Sequence, residues 1–101
     1  MLFRSPELGL TVKPATKELA KEHGVDFEEG MIVTEVEKGS VAAARGIMAG
    51  DIITEVNRKA VKSTKEFRAA IDASDLKKGV ILNYVSKGES KFEVLRAAPG
   101  K

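Results

Sequence analysis

The stretch that decides the fold reads GSVAAARGIMAGDIITEVN and runs from Gly39 to Asn57. Its first part, Ser40 to Arg45, is rich in alanine and closes at Gly46, a pattern that favours a short helix. Its last part, Ile52 to Val56, is rich in β-branched residues and follows the pair Gly50-Asp51, which indicates a strand that begins after a turn. The stretch therefore predicts a short helix, a Gly-Asp turn and a buried strand in direct succession.

Length and composition describe a single globular domain. The chain has 101 residues, 43% of them hydrophobic and 32% charged, which is far from the composition of disordered chains. Its formal net charge of +2 is too small to hold nucleic acid by charge alone. Its apolar runs are far shorter than the about 20 residues that cross a bilayer, so no membrane insertion is expected. Arg4 interrupts the apolar start at once, so a signal peptide is not expected either, and an exported parent would contain this chain as a fragment.

Cysteine and histidine, two common residues of metal and catalytic sites, are nearly absent from the sequence. There is no cysteine, and the single His23 cannot form a cluster of imidazole ligands. The segment from Gly46 to Gly50 lacks the Lys-Ser/Thr pair of a phosphate-binding loop. No nucleophile, base and orienting group form a recognisable set. We therefore expect no catalytic residue, no metal and no cofactor, and a surface position for His23.

The flanks of the central stretch add helices and strands. Leu8 to Lys13 reads as an edge strand, because Pro14 cannot donate a hydrogen bond to a sheet. Thr16 can cap a helix over residues 17–23, and Met31 to Val36 has the composition of a buried strand.

The C-terminal half predicts a helix and a hairpin. Ser63 and Glu66 have the spacing of a capping box, and a helix through Ile71 follows. Val80 to Val85 and Ser90 to Leu95 flank a short glycine-containing turn. The pattern indicates an α+β domain over residues 7–95, with tails at residues 1–6 and 96–101.

The central stretch resembles that of bacterial PDZ domains. Leu8-Gly9-Leu10 falls where such domains place their carboxylate-binding loop, and the segment from Ser63 to Ile71 falls where they place the groove helix. The sequences EVNRK, from Glu55, and EFRAA, from Glu66, are most similar to the second PDZ domain of Do-like proteases of the HtrA/Deg family.

The resemblance implies a PDZ-like, partly open β-barrel or sandwich of about five to six strands capped by two helices, in the circularly permuted bacterial order. One departure from the family pattern is Arg58, which stands where a turn glycine is frequent.

The resemblance also implies a groove for an extended peptide. A peptide can add itself as a strand to the edge Leu10 to Lys13, while amides of the loop around Gly9 bind its terminal carboxylate. Leu8, Leu10 and Ile71 are expected to form the pocket for the last side chain. Replacing Gly9 with Val is expected to abolish binding and to spare most of the stability. The predicted peptide-binding residues are Leu8, Gly9, Leu10, Thr11, Val12, Lys13, Thr64, Arg68 and Ile71.

The implied function is that of a non-catalytic module of a periplasmic HtrA/Deg serine protease. It would capture C-terminal or unfolded, apolar polypeptide segments for substrate docking or regulation, and its other partners would be neighbouring protease or PDZ domains of the parent. Two alternatives stay open: a groove that serves oligomer assembly of the parent, and a parent that is an intramembrane zinc metalloprotease.

Overall fold

The computed structural model describes residues 2–96. Within them the chain forms seven strands and three helices. The strands are β1 (Phe3–Ser5), β2 (Leu10–Pro14), β3 (Met31–Val36), β4 (Ile52–Val56), β5 (Lys59–Ala60), β6 (Val80–Ser86) and β7 (Glu89–Leu95). The helices are α1 (Lys17–Glu22), α2 (Val41–Ala44) and α3 (Thr64–Asp72).

The α+β class is confirmed, and so is every helix and strand that the sequence predicted. The structure adds two short strands, β1 and β5. It has three helices rather than the two that the resemblance implied, because the one-turn helix α2 is present besides α1 and α3. Residues 3–5 thus form a strand inside the segment that we expected to be a tail. Beyond Arg96, the expected C-terminal tail lies outside the described residues.

One antiparallel sheet contains all seven strands. The strand order is β1-β2-β3-β4-β6-β7, and β5 pairs with β4 beside this path. The register shifts between Thr11 and Val12 in β2 and between Ile53 and Glu55 in β4. Such irregularities bend a strand and increase its twist, which lets the sheet curl around the core.

Three side-chain caps explain where the helices begin. The side-chain oxygens of Thr16, Ser40 and Ser63 each accept a hydrogen bond from the amide three residues further on, at 3.0 to 3.1 Å. Each cap satisfies an amide that has no partner within the helix. Glu66 departs from the capping-box pattern, because its carboxylate accepts from the amide of Lys62 at 2.8 Å.

The core lies between the inner face of the sheet and helices α2 and α3. Phe67 is completely buried there, together with residues of β2, β3, β4, β6 and β7. Ile53 belongs to this core, whereas its neighbour Ile52, which points to the opposite face of the strand, is buried outside it. The start of β4 is therefore covered on both faces, as the composition of the central stretch predicted.

Residues Lys87-Gly88 connect β6 and β7 with backbone φ angles of 50° and 82°. Two consecutive positive φ angles are typical of the two-residue type I′ hairpin turn. The predicted C-terminal hairpin is thus confirmed. None of the helices within residues 2–96 has the length and apolar character needed to cross a membrane.

Candidate peptide-binding groove

The loop Leu8-Gly9-Leu10 converges on a single residue, Ser5. The Gly9 amide donates to the Ser5 carbonyl oxygen at 2.7 Å, and the Leu8 amide lies 3.4 Å from the Ser5 hydroxyl. Leu10 is the partner of Ser5 in the β1–β2 ladder. The Leu8 and Gly9 amides therefore both meet atoms of Ser5, a residue of this chain.

Neighbouring elements hold this loop firmly in place. The carbonyl oxygen of Leu8 accepts from the Ala42 amide of α2 at 3.1 Å, and that of Gly9 accepts from the Glu37 amide at 2.7 Å. Gly9 has a φ angle of +80°, and a Cβ atom built on it would lie 2.1 Å from the Cβ of Ser40. Glycine is therefore required at this position both for its backbone conformation and for the close approach of α2.

The outer edge of β2 is occupied by β1. Ser5, Arg4 and Phe3 pair in antiparallel register with Leu10, Thr11 and Val12. We expected this edge to be free from Leu10 to Lys13, and in the structure only its last part extends beyond β1. Little in the sequence indicates this pairing, because a three-residue strand has too few positions to show an alternation.

Strand β1 lies along β2 as a bound peptide tail is expected to lie. It runs antiparallel to β2, and its C-terminal end, Ser5, is the end that meets the loop. The Ser5 carbonyl oxygen accepts from Gly9 in the place that we assigned to a terminal carboxylate. Ser5 thus corresponds to the last residue of a peptide, and Phe3 to the residue two positions before it.

Helix α3 forms the other wall of the groove. The Phe3 ring packs edge-on against the Phe67 ring, with centroids 5.6 Å apart and an interplanar angle of 64°. The guanidinium carbon of Arg68 lies 5.6 Å from the centroid of the Phe3 ring. Arg4, which alternates with Phe3 along β1, points away and forms an exposed 2.7 Å ion pair with Glu37. The helix therefore contacts β1 through the aromatic ring of Phe3.

The predicted site residues lie close together in the structure. Leu8, Leu10 and Ile71, which we expected to line a pocket, are all buried members of the core while β1 is present. Thr64 lies in the first turn of α3, and Arg68 lies one turn later on the exposed side. Lys13 is half-buried beyond the end of β1.

Three residues of this site were not predicted: Phe3, Ser5 and Phe67. The sequence predicts a tail at the first two positions and a core position for Phe67. Phe67 is indeed fully buried, and its ring also meets Phe3. The available signal was the aromatic residue Phe3 shortly before the turn residue Pro6, which favours a return of the chain.

A second concavity lies on the other face of α3. It is an open cleft of about 580 Å³ between α3 and the β4–β5 turn. Glu66, Ala69, Ala70 and Ala73 supply the helix side of the cleft, and their spacing places them on a face different from that of Arg68 and Ile71. Within residues 2–96, no group of three or more acidic, histidine or cysteine residues could hold a metal ion.

Comparison with known proteins identifies the family of this domain. A profile of the PDZ domain matches residues 6–94. The chain belongs to the PDZ domain family. The PDZ domain is similar to a probable periplasmic serine endoprotease of the DegP-like type from Brucella suis, with 38% identity over 89 residues. The aligned region covers 86% of this chain and 15% of that protein, so the chain spans less than a fifth of its relative.

Two solved structures have the same fold as this PDZ domain. An HtrA-type protease AlgW with a decapeptide has a TM-score of 0.73 at 21% identity, over 93% of this chain and 30% of that chain. The HtrA3 PDZ domain bound to a phage-derived ligand, FGRWV, has a TM-score of 0.72 at 23% identity, over 96% of this chain and 86% of that chain. The PDZ-like fold and the similarity to HtrA/Deg proteases are thus confirmed.

Proposed function

We propose that this PDZ domain is the peptide-binding module of a periplasmic HtrA/Deg-type serine protease. It captures C-terminal or extended apolar segments by strand addition to β2, for substrate docking or regulation of the parent. The domain itself is a non-catalytic module, and the chemistry belongs to another domain of the parent. Both the protease activity and the periplasmic location are inferred from the DegP-like relative named above.

The observation that carries the proposal is the position of β1. An extended segment already pairs with β2, and its last carbonyl oxygen is bound by the Gly9 amide. Main-chain pairing of this kind does not depend on the side chains of the added strand. A peptide with a free carboxylate presents one more acceptor oxygen than Ser5 does, and it can make the same ladder contacts.

Peptide binding requires that β1 leaves the groove. The two occupants compete for the same edge of β2, and β1 has the advantage of being tethered through residues 6–9. The short connection through Pro6 and Glu7 gives β1 an effective concentration on the order of millimolar. The apparent affinity of a free peptide is consequently its affinity for the open groove multiplied by the fraction of molecules in which the groove is open.

The proposed binding residues are the nine predicted from the sequence together with Phe67. A bound peptide pairs with Leu10, Thr11 and Val12 of β2, and Lys13 lengthens this ladder by one residue. Leu8, Leu10 and Ile71 form the floor that the last side chain of a peptide contacts once Ser5 has moved away. Thr64, Phe67 and Arg68 supply the helix wall.

Titration of a short peptide tests this function. FGRWV with a free carboxylate serves as the probe, and its C-terminal amide serves as the control for carboxylate recognition. We expect the free acid to bind the full chain, and to bind Phe3→Ala several-fold more tightly because β1 then loses its contacts with Phe67 and Arg68. Phe92→Ala, which alters an exposed aromatic residue on β7, should bind as the unmodified chain does.

Two results would contradict the proposal. Equal binding of the acid and the amide would show that the loop does not recognise a carboxylate. Absence of binding to the full chain and to Phe3→Ala alike, with both proteins folded by circular dichroism, would exclude this groove as a site for the probe.

A second function is favoured by the same observation. A groove that accepts a segment of its own chain can equally accept that segment from a neighbouring subunit, which would serve assembly of the parent. Excess free peptide should then change the oligomer size of the full-length protein, whereas a substrate-docking groove would leave it unchanged. The alternative of a zinc metalloprotease as parent has no support from the serine protease similarity reported above.

A further inference from the structure

The second edge of the sheet, formed by β7, has no partner strand within residues 2–96. Strand β7 is the last strand in the sheet order, and it pairs with β6 over seven residues, from Glu89 to Leu95, in unbroken register. Neither a bulge nor a proline interrupts it. Long, regular, exposed edges are the ones that proteins otherwise protect, because their free amides and carbonyls recruit other strands.

The turn before β7 determines which backbone groups are free. In a two-residue hairpin the residues that flank the turn, here Ser86 and Glu89, form a hydrogen-bonded pair. Hydrogen-bonded and non-hydrogen-bonded pairs then alternate along an antiparallel ladder. Ser90, Phe92 and Val94 therefore direct their amides and carbonyls away from β6, toward the open edge.

The side chains around Phe92 are self-complementary. Suppose that a second copy of β7 runs antiparallel to the first, with Phe92 opposite Phe92. Lys91 of each copy then faces Glu93 of the other, so one such pair lies on each side of Phe92. The same register places Ser90 opposite Val94. Each residue whose amide and carbonyl point to the open edge therefore meets such a residue of the other strand. The Phe92 side chain, 67% exposed, would then lie beside its counterpart on the outer face of the sheet.

We propose that β7 is an interface with a second copy of this chain, formed by antiparallel β7–β7 pairing about a two-fold axis at Phe92. Opposite charges and paired aromatic rings directly across two strands both stabilise such a pairing. The interface is independent of the peptide groove, because β1 and β7 form opposite edges of the sheet. One strand pair buries little surface, so the isolated domain should dimerise weakly, with a dissociation constant on the order of 0.1 to 1 mM.

Sedimentation velocity of the full chain, from about 10 µM to about 2 mM, tests the interface over the concentration range that such an affinity requires. Lys91→Glu and Glu93→Lys should each weaken dimerisation by roughly three- to tenfold, because each places like charges opposite one another. The double variant Lys91→Glu/Glu93→Lys restores opposite charges and should recover the affinity of the unmodified chain. Phe3→Ala, at the opposite edge, should leave dimerisation unchanged.

A proline variant tests the strand pairing itself. Phe92→Pro removes an amide that does not donate to β6, so the hairpin should remain folded while the dimer is lost. A chain that is monomeric at the highest concentration would overturn the proposal. So would a dimer that tolerates Phe92→Pro, or one that the double variant fails to restore, because such a dimer would use another surface.

Discussion

The guanidinium carbon of Arg68 lies 5.6 Å from the centroid of the Phe3 ring. This contact joins the groove helix α3 to the strand that fills the groove. Phe3 stands two residues before Ser5, whose carbonyl oxygen is bound by the loop. Arg68 is thus adjacent to the side chain two positions before the end of any segment that binds as β1 does.

Arg68 should set a preference at that position of a peptide. Once a peptide has displaced β1, an Asp or Glu two residues before its apolar C-terminal residue lies beside Arg68. An exposed ion pair of this kind contributes roughly 0.2 to 1 kcal/mol and is weakened by salt. We expect the acidic peptide to bind a few-fold more tightly than its Ala variant, and Arg68→Ala to abolish the difference but not the binding.

Calorimetric titration of both peptides into both proteins, at low and at high salt, measures this preference. Lys21→Ala, which removes a positive charge from α1, is the matched control and should keep the preference. A preference that survives in Arg68→Ala would assign it to another group.

Gly9 should be far more sensitive to substitution than the sequence suggested. Its φ angle of +80° and the 2.1 Å approach to the Cβ of Ser40 mean that any side chain must displace the start of α2. We expect Gly9→Ala to lower the free energy of unfolding by about 2 to 4 kcal/mol, the sum of a left-handed backbone penalty and an overpacking penalty. Gly9→Val should be worse still, so it cannot separate binding from stability.

Gly39→Ala is the control for the backbone part of this effect, because Gly39 has a φ angle of +77° and no atom within 4 Å of the position of a Cβ. Gly39→Ala should lower the free energy of unfolding by only about 1 to 2 kcal/mol. Urea unfolding of both variants, and of Gly9→Ala combined with Ser40→Gly, measures the difference. Equal losses at Gly9 and Gly39 would show that Ser40 imposes no steric limit.

Arg58→Gly should stabilise the domain. Arg58 has a φ angle of +69° in the turn between β4 and β5, and its neighbour Asn57 has one of +50°. Glycine adopts such angles without the strain of a Cβ atom, so a gain of about 0.5 to 1 kcal/mol is expected. Lys59→Gly, one residue later in strand β5, should instead destabilise, and thermal unfolding of the two variants distinguishes the outcomes. A loss of stability in Arg58→Gly would show that its side chain makes a contribution larger than the strain.

Tyr84 should make the domain sensitive to alkaline pH. Burial, followed by the nearby charges of Glu93 and Asp51, raises the pKa of Tyr84 above its ordinary value of 10.0. The unfolded chain therefore loses this proton at lower pH than the folded chain does. The resulting stability is complete below about pH 10 and is lost as the pH rises through the raised pKa of the folded state.

Tyr84→Phe lacks this titration. The difference in free energy of unfolding between the unmodified chain and Tyr84→Phe should be constant up to about pH 10 and then shift in favour of the variant. Tyr84 is the only tyrosine of the chain, so its ultraviolet absorbance reports ionisation directly. A constant difference through the alkaline range would exclude the raised pKa.

Local signals predicted the parts of the fold that depend on local chemistry. Thr16 and Ser63 cap their helices as predicted, Ser40 caps the predicted short helix α2 in the same way, and Gly88 lies in the predicted hairpin turn. Each of these features is determined by residues three or four positions apart. Sequence patterns at that range are enough to place them.

The occupation of the groove by β1 could not be predicted in the same way. Whether Phe3–Ser5 pairs with β2 depends on the return of the chain at Pro6 and on a ring contact with Phe67, 64 positions away in the sequence. The spacing of apolar residues in α3 predicted that Phe67 faces inward. The same spacing is expected of a residue that packs in the core and of one that lines the groove, so it does not distinguish the two. The loop and the helix wall were predicted because the family resemblance specified both.

The tether between β1 and β2 also sets the time course of binding. Hairpin formation takes about 1 to 10 µs, whereas a micromolar peptide with an ordinary association rate arrives only about 0.1 to 10 times per second. An open groove therefore closes again long before the next peptide arrives. An incoming peptide meets an equilibrium mixture of the two forms, and only its association rate is reduced by the closed fraction. Once bound, the peptide excludes β1 and leaves at the rate of an unobstructed groove.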